Sequence, residues 1–312
     1  MTAPVRAPLL LHHPVVIAPG SAVLEVAGVV KSSAVDGPGN RYVLFLQGCN
    51  FDCSACHNPS TIGRCDACGA CVPACPHGAL SFPAPGVLVY GAASCDRCRA
   101  CVAVCPIDAD PAIRVAPIGE IVEEIRTLAR FLSGVTVTGG EPTIQAEALA
   151  ALFFALKADP ELGRLTTLVD TNGTLPAGRW SRLLPVLDGA MVDLKAASSE
   201  LHRNLTGHDN DQVKETIRFL SSVGKLAEVR LLVVEGVTDT AAELEAWAGF
   251  VGGVDRGVPV RLMAFRHTGT RLAGQRWPET SPETLQRVRD RLLSLGLTAV
   301  HGVMSPARLT PR

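Results

Sequence analysis

Three cysteines lie close together in the segment GCNFDCSACHNP, at Cys49, Cys53 and Cys56. In a chain whose thiols stay reduced, clustered cysteines are more often metal ligands than disulfide partners. Zinc sites and iron–sulfur clusters usually take four protein ligands, so this triad is one ligand short. The spacing indicates a metal centre and raises the question of what occupies its fourth position.

The other eight cysteines form two runs with one spacing, C-x2-C-x2-C-x3-C-P. This spacing is typical of bacterial two-cluster ferredoxins, in which the fourth cysteine of each run binds the cluster of the other run. A zinc ribbon is the alternative, but it needs only C-x2-C pairs and has no use for the third and fourth cysteines. The two expected ligand sets are Cys65, Cys68, Cys71 and Cys105, and Cys95, Cys98, Cys101 and Cys75.

Composition and charge exclude several classes of protein. The 312 residues are 47% hydrophobic, which is enough to bury a sizeable core, and the net charge is −1. No basic run suggests binding to nucleic acid or to an anionic membrane. The start, MTAPVRAPLLLHHPVV, is too short and too rich in proline for a secretion signal, and no later segment has about eighteen uninterrupted apolar residues. We therefore expect a cytoplasmic protein with no membrane association, and we interpret His12 and His13 as surface residues.

The elements around the cysteines fall into two parts. Residues 60–115 are rich in Gly, Pro and Ala, leave little room for long helices or strands, and predict a small ferredoxin-like insert held together by its clusters. Residues 1–59 and 116–312 alternate strands with helices, which favours parallel βα units. The expected strands are RYVLFLQG, GVTVTGG, LTTLVDTNG, GAMVDLK, EVRLLVVEG and VPVRLMAF. The final helix is marked by Ser281 as N-cap, Pro282 in the first turn and Gly296 at its end.

Glycine and polar residues recur where these strands end, and in βα folds chemistry gathers at the carboxyl ends of the strands. Each signal is weak alone, because GGEP and TNG are usually turns, Asp193 and Lys195 could form an ordinary ion pair, and Arg230 could simply pair with a carboxylate. The combination at successive strand ends is harder to obtain by accident. The residues are Gly139, Gly140, Glu141, Asp170, Asn172, Asp193, Lys195, Arg230 and His267.

Taken together, these motifs resemble a known superfamily. The triad C-x3-C-x2-C followed by GGE resembles the radical S-adenosylmethionine enzymes. The longer run DGPGNRYVLFLQGCNFDCSACHNP resembles the enzymes that activate glycyl radical enzymes, and MVDLK, LTGHDN and RLLVV with the ferredoxin block resemble the YjjW-type activases. The resemblance spans about residue 25 to the end. It implies an α/β fold, a partial (open) TIM-type (β/α)6 barrel with an inserted two-cluster ferredoxin-like domain.

The resemblance also implies a reaction. In the family, the triad holds a four-iron cluster whose open iron is chelated by S-adenosylmethionine. One electron splits the sulfonium, and the resulting 5′-deoxyadenosyl radical takes hydrogen from a glycine of a partner glycyl radical enzyme. The implied cofactors are three 4Fe-4S clusters and S-adenosylmethionine, with a low-potential donor such as flavodoxin or ferredoxin. The partner would enter through a lateral opening near VDGPG, and the insert would relay electrons or help to dock the partner.

Individual roles carry over by position. Glu141 and the Gly139–Gly140 backbone match the ammonium contacts of S-adenosylmethionine, and Asn58 matches the adenine contact. His57 is expected to pack beside the cluster rather than to bind it. The positions around the ribose and carboxylate, where some members also hold a monovalent cation, are Asp170, Asp193, Lys195 and Arg230.

Two positions depart from the family pattern. Ala55 stands where an aromatic residue usually precedes the third cysteine, so stacking on adenine is in doubt. The last strand usually ends in Phe-His but here reads Phe265-Arg266-His267. Either His267 acts one place late, on the wrong face of a regular strand, or Arg266 replaces it, and a plain surface role for His267 is equally open.

Two other functions remain as alternatives. One is a radical enzyme of the same superfamily that acts on a small molecule or a peptide, against which DGPGNR before the triad argues. The other is an iron–sulfur electron-transfer protein that uses the eight ferredoxin-type cysteines. That second function leaves the triad, GGEP and the barrel unexplained.

Overall fold

A nine-stranded sheet organises the structure, a computed structural model that describes residues 22–271 and 273–303. The predictions for the first sixteen residues, including His12 and His13, lie outside the described ranges. No described helix is long and apolar enough to cross a lipid bilayer. The described strands are β1 (Val23–Ser33), β2 (Arg41–Leu46), β3 (Leu80–Ala84), β4 (Val87–Tyr90), β5 (Arg114–Pro117), β6 (Gly134–Gly139), β7 (Thr166–Thr171), β8 (Gly189–Asp193), β9 (Leu226–Val233), β10 (Val260–Ala264) and β11 (Val300–Val303).

Parallel pairing confirms the predicted barrel strands. The sheet order is β11-β10-β9-β8-β7-β6-β2-β1-β5, and every pair from β11 to β2 is parallel. Six of these strands are the predicted ones, and β11 adds a seventh. Among the described residues no pairing joins β11 to β5, so the sheet stays open like a partial barrel. The sequence did not indicate the antiparallel β1 and β5 at the β2 edge.

Helices follow most of the parallel strands. Each carries apolar residues at helical spacing, and in α2 the side chains of Ile121 and Ile125 are fully buried. The last helix begins as predicted, with the Ser281 hydroxyl accepting from the N–H of Thr284 at 3.1 Å. The helices are α1 (Ala100–Ala103), α2 (Ile118–Leu128), α3 (Ala146–Ala158), α4 (Ser199–Thr206), α5 (Asp211–Ser222), α6 (Ala241–Val254) and α7 (Pro282–Ser294).

The main core joins apolar side chains of the parallel strands with those of the helices in one cluster. One cation is buried at the amino ends of the strands: Arg41 donates to the Thr136 hydroxyl at 2.6 Å and to the Pro38 carbonyl at 3.1 Å. Burial lowers the pKa of Arg41 to about 10. The DGPG segment therefore packs at the end of the sheet opposite to the carboxyl ends, and its predicted place near a lateral opening remains a prediction. Fully buried residues, one from each predicted parallel strand, are Leu44, Val137, Val169, Val192, Leu231 and Leu262.

The cysteine-rich segment between β2 and α2 has a small structure of its own. Between the triad loop and β5, the described regular elements are the antiparallel hairpin β3–β4, the single turn α1 and short 3-10 turns. The boundary predicted at residue 115 falls inside β5, where Arg114 and Val115 already pair with β1. The segment is thus attached at both ends to the main sheet.

Candidate functional site

The triad loop follows β2 at the carboxyl edge of the sheet and is held by backbone hydrogen bonds on both sides. The N–H of Cys49 donates to the Ile62 carbonyl at 3.0 Å. The N–H groups of Asp52 and Ser54 donate to carbonyls at the end of α4, both at 3.0 Å. Because the loop backbone is fixed by neighbours distant in sequence, the three thiols have defined positions.

The thiols are poorly solvated and close to one another. Burial, together with nearby Glu141 and Cys56, raises the pKa of Cys49 to about 12. Burial also raises the pKa of Cys53, while Lys195 acts in the opposite direction. Three neighbouring thiolates are therefore unfavourable here unless a cationic centre binds them, as an iron–sulfur cluster does. Two backbone N–H groups already point at the sulfurs, from Phe51 to Cys49 and from Asn58 to Cys56, each at 3.4 Å.

Within the described ranges, no three His, Cys, Asp or Glu side chains are arranged to hold a single metal ion. The surroundings of the triad, rather than the arrangement of its side chains around one ion, indicate what it can hold. Its low solvation, its mutual proximity and its N–H donors suit a thiolate-ligated cluster, whose potential depends on such hydrogen bonds.

Glu141 is fully buried beside the triad and joins two strand ends. Its carboxylate accepts from the Thr143 N–H at 2.9 Å, from the Thr171 hydroxyl at 2.7 Å and from the Asn172 N–H at 2.6 Å. Burial raises the pKa of Glu141. The sequence pointed to Glu141 as a ligand contact and gave no sign of this cross-link between β6 and β7. Its contact with the ammonium group of S-adenosylmethionine stays a prediction.

The two glycines before Glu141 allow close backbone packing. A Cβ at Gly140 would lie 2.0 Å from the Gly48 carbonyl oxygen, and one at Gly139 would lie 2.4 Å from the Leu46 nitrogen. Gly139 also has a φ of +115°, which favours glycine. The sequence predicts that these two glycines let a ligand approach the backbone closely. In the structure the near neighbour is the backbone that leads into Cys49.

The four predicted charged residues come together in one network. Arg230 is 6% exposed and pairs with Asp170 at 2.8 Å, and Lys195 pairs with Asp193 at 2.6 Å. β8 ends at Asp193, so Lys195 lies beyond the strand, although the predicted strand GAMVDLK included both residues. Sequence reasoning missed Glu228, which accepts from Arg230 at 2.7 Å; their i, i+2 spacing in β9 was the available signal.

One acceptor in this network has no protein partner. The Asp170 Oδ1 atom is buried and makes no hydrogen bond within the described residues, whereas its Oδ2 receives the Thr138 hydroxyl at 3.0 Å. Burial raises the pKa of Asp170, although Arg230 acts against it. An unsatisfied buried carboxylate oxygen costs free energy, so it fits a ligand hydroxyl or a cation.

The residues after β10 fold over the triad loop. β10 ends at Ala264, so His267 lies beyond the regular strand, and the choice between His267 and Arg266 stays a prediction. His267 contacts the Trp277 carbonyl through Nε2 at 2.7 Å, and Arg266 pairs with Glu279 at 3.4 Å.

The ring of His57 stacks on Phe265 at 5.9 Å and contacts the Arg266 backbone. Ala55 packs against the same Phe265, a residue that the sequence did not single out. Asn58 caps the 3-10 turn Pro59–Thr61, its carbonyl accepting from the Thr61 N–H at 2.9 Å. Its predicted contact with adenine stays a prediction.

The insert cysteines gather into two groups. Cys105 lies close enough to Cys65 and Cys71 to raise the pKa of both thiols, after the larger effect of burial. Backbone N–H groups point at sulfurs in both halves, from Ala67 to Cys65 at 3.4 Å and from Ala109 to Cys105 at 3.3 Å among others. A separate small cavity, partly open to solvent, includes Cys75, Cys95, Cys98 and Cys101 in its lining.

Comparison with known proteins gives a consistent picture. The sequence profile of the radical SAM superfamily matches residues 43–248. The chain is 30% identical to the isethionate sulfite-lyase activating enzyme of Desulfovibrio desulfuricans, over 78% of this chain and 84% of that enzyme. It is 26% identical to the pyruvate formate-lyase 1-activating enzyme of Escherichia coli, over 88% of this chain and 98% of that enzyme. A radical SAM methyltransferase from Sphaerobacter thermophilus superposes with a TM-score of 0.54 at 17% identity, covering 92% and 79% of the two chains, and shows the fold alone.

Proposed function

The chain belongs to the radical S-adenosylmethionine superfamily, and we propose that it activates a glycyl radical enzyme by removing a hydrogen atom from the Cα of one glycine. The observation that carries this function is the match to activating enzymes over more than three quarters of the chain. The site agrees with it, since the triad lies at the carboxyl edge of an open sheet beside a charged network. An open sheet leaves a side from which a protein loop can reach that edge.

The residues present fit a four-iron cluster and S-adenosylmethionine. Cys49, Cys53 and Cys56 would hold the cluster, and the bound pair would supply a 5′-deoxyadenosyl radical. The protein contributes position and exclusion of water. Arg230 is well placed to hold Asp170 toward a bound nucleoside, because the pair is buried and the second oxygen of Asp170 is left for a ligand. A monovalent cation is a further candidate for that oxygen.

The proposal includes two further 4Fe-4S clusters in residues 60–115, on the crossed ligand sets expected from the ferredoxin spacing. The cavity lined by Cys75, Cys95, Cys98 and Cys101 supports the second set. The electrostatic proximity of Cys105 to the first run supports the other. An insert of this type is what the resemblance to YjjW-type activases implies.

The proposed partners are a glycyl radical enzyme and a low-potential electron donor such as flavodoxin or ferredoxin. The near-neutral charge supports a protein that binds neither nucleic acid nor anionic membranes. The many cysteines arranged as metal ligands favour the cytoplasm, where thiols stay reduced.

The reaction is tested by isotope transfer. The partner enzyme is produced with glycines deuterated at Cα and is mixed anaerobically with this protein, S-adenosylmethionine and a chemical reductant. We expect deuterium in the methyl group of 5′-deoxyadenosine, because that carbon receives the abstracted hydrogen atom. We also expect a glycyl radical signal in electron paramagnetic resonance spectra of the partner.

Slow cleavage without partner is the background of this experiment, so the nucleoside alone is not diagnostic. A partner whose radical-bearing glycine is replaced by alanine is the control and should give unlabelled nucleoside. Unlabelled nucleoside with every glycyl radical enzyme of the organism, and no radical on any of them, would favour a small molecule or a peptide as substrate.

The residues after β10, which depart from the family pattern, give a prediction that ranks two variants by their affinity for S-adenosylmethionine. Arg266→Ala should weaken binding of S-adenosylmethionine more than His267→Ala, by about tenfold if one charged hydrogen bond to the carboxylate is lost. Arg266 stands where the family pattern has histidine, and its contact with Glu279 at 3.4 Å is longer than the 2.7 Å contact of the His267 ring with the Trp277 carbonyl, which supports this order. Calorimetric titration of both reconstituted variants measures the two affinities. The reverse order would assign the contact to His267.

A further inference from the structure

The two halves of the insert repeat one backbone pattern. All four non-glycine residues with positive φ among the described residues lie here, and each of them has a positive-φ counterpart at the same place in the other half. Ala67 (φ 53°) matches Arg97 (φ 63°), and Gly69 (φ 79°) matches Arg99 (φ 63°). The two halves therefore wrap their cysteines with the same left-handed turns.

The halves differ in what occupies those turns. The first run reads CDACGAC and the second reads CDRCRAC. A left-handed conformation costs free energy for any residue with a Cβ, and glycine avoids that cost. Arginine at position 99, where the first half has Gly69, is thus unfavourable for the local backbone. A role of the arginine side chain beyond the turn itself would explain why arginine occupies this position.

These arginines form a basic surface around a cysteine. Arg97 and Arg99 are exposed and flank Cys98, which is exposed as well. The nearest carboxylate in the run, Asp96, is engaged with His77 at 2.8 Å. The first half has the matching aspartate, Asp66, but no arginine. The surface around Cys98 is therefore positive where its counterpart around Cys68 is not.

The basic surface lies in residues 95–101, whose hydrogen bonds stay within the insert, whereas segments beside them contact the triad loop. The first run is linked to the triad loop directly, because the Cys49 N–H bonds the Ile62 carbonyl just before that run. Arg271 then bridges Asp52 in the triad loop and Asp108, three residues after Cys105. The hydrogen bonds of residues 95–101, by contrast, are made within the insert.

We propose that Arg97 and Arg99 form the docking surface for an acidic electron-carrier protein, represented by reduced flavodoxin. The inference rests on the proposed function, in which the carrier loses one electron and S-adenosylmethionine, as acceptor, has its sulfonium C–S bond broken. An electron carrier must dock where a redox centre comes near the surface, and Cys98 is an exposed member of the second ligand set. A glycyl radical enzyme must instead bring its glycine to the triad, at the carboxyl edge of the barrel.

The first run of the insert provides the sequence for a variant that tests this proposal. The double substitution Arg97→Ala and Arg99→Gly turns the second run into a copy of the first, whose backbone accepts those residues in the same turns. Binding of flavodoxin to the reconstituted protein is measured by calorimetry at low and high salt. We expect the variant to bind about tenfold more weakly at low salt and to lose most of the salt dependence, because two exposed charges are removed.

A pair of exposed arginines elsewhere is the control. Arg179→Ala with Arg182→Ala, in the 3-10 segment between β7 and β8, removes the same charge and should leave the affinity for flavodoxin unchanged. Iron content and glycyl radical formation with a chemical reductant should be the same in all three proteins.

Three outcomes would overturn the proposal. They are an unchanged affinity in the Arg97/Arg99 variant, an equal loss in the control, or a loss of affinity for the glycyl radical enzyme instead of flavodoxin. Failure of the proposed function would appear separately, as absence of the glycyl radical in the wild-type protein with a chemical reductant.

Discussion

Cys53→Ala is expected to abolish reductive cleavage of S-adenosylmethionine and to lower the iron content of the anaerobically reconstituted protein from about twelve to about eight. Cys53 is partly buried and packs against the barrel core, and the other two cysteines of the triad would already be ligands of the same cluster. The two clusters proposed for the insert would use other ligands and should remain. Iron analysis, electron paramagnetic resonance and assay of 5′-deoxyadenosine with a chemical reductant measure the effect.

The matched control removes a cysteine from the insert. Cys98→Ala should also lower the iron content, but it should keep cleavage when a chemical reductant replaces the protein donor, because the triad is untouched. Production of 5′-deoxyadenosine by the Cys53 variant would show that the triad is not the reactive centre. Loss of cleavage in both variants would show that the insert takes part in more than supplying electrons.

Gly140→Ala is expected to lower the free energy of unfolding by about 3 kcal/mol or more. The new Cβ would lie 2.0 Å from the Gly48 carbonyl oxygen and 2.7 Å from that of Thr61. Both neighbours are backbone atoms and cannot rotate away, so β6 or the triad loop must shift. Urea unfolding of the apoprotein followed by circular dichroism measures the loss, and the reconstituted variant should also assemble the triad cluster poorly.

Gly249→Ala is the control for the same chemical change. Gly249 lies inside α6, and a Cβ there would meet nothing within 4 Å. Alanine should stabilise the helix by up to about 1 kcal/mol, since glycine is a poor helix former. Equal stability of the two variants would mean that the contact between Gly140 and Gly48 does not constrain the fold.

Local patterns in the sequence were enough to predict the parallel strands, the last helix and the residues of the charged network. Apolar residues repeat with a short period in strands and helices, so these elements can be recognised from a short stretch of sequence. In βα folds functional residues gather at the carboxyl ends of strands, so Asp170, Asp193 and Arg230 could be placed on one edge of the sheet from the sequence. The spacing of the cysteines can likewise be recognised within a short stretch of sequence.

Contacts between distant segments could not be predicted in this way. The cross-link through Glu141 depends on where β7 ends, and the pairing of β1 with β5 joins segments on either side of the insert. Glu228 looked like an ordinary strand residue because only its pairing with Arg230 is local to β9, and its second partner, Arg261, meets it only when β9 and β10 are adjacent. A sequence pattern shows which face a residue occupies but not what another strand brings to it.

The attachment of the insert has a consequence for how the chain folds. β2 and β6 pair directly although the insert and α2 lie between them, and a usual crossover between such strands takes about 30 residues. Lengthening a flexible connection is cheap, at about 0.6 kcal/mol for each doubling, because the entropy of loop closure grows only with the logarithm of length. The barrel can therefore fold while the insert is still without the clusters proposed for it, and assembly of those metal centres would follow as a later, independent stage of maturation.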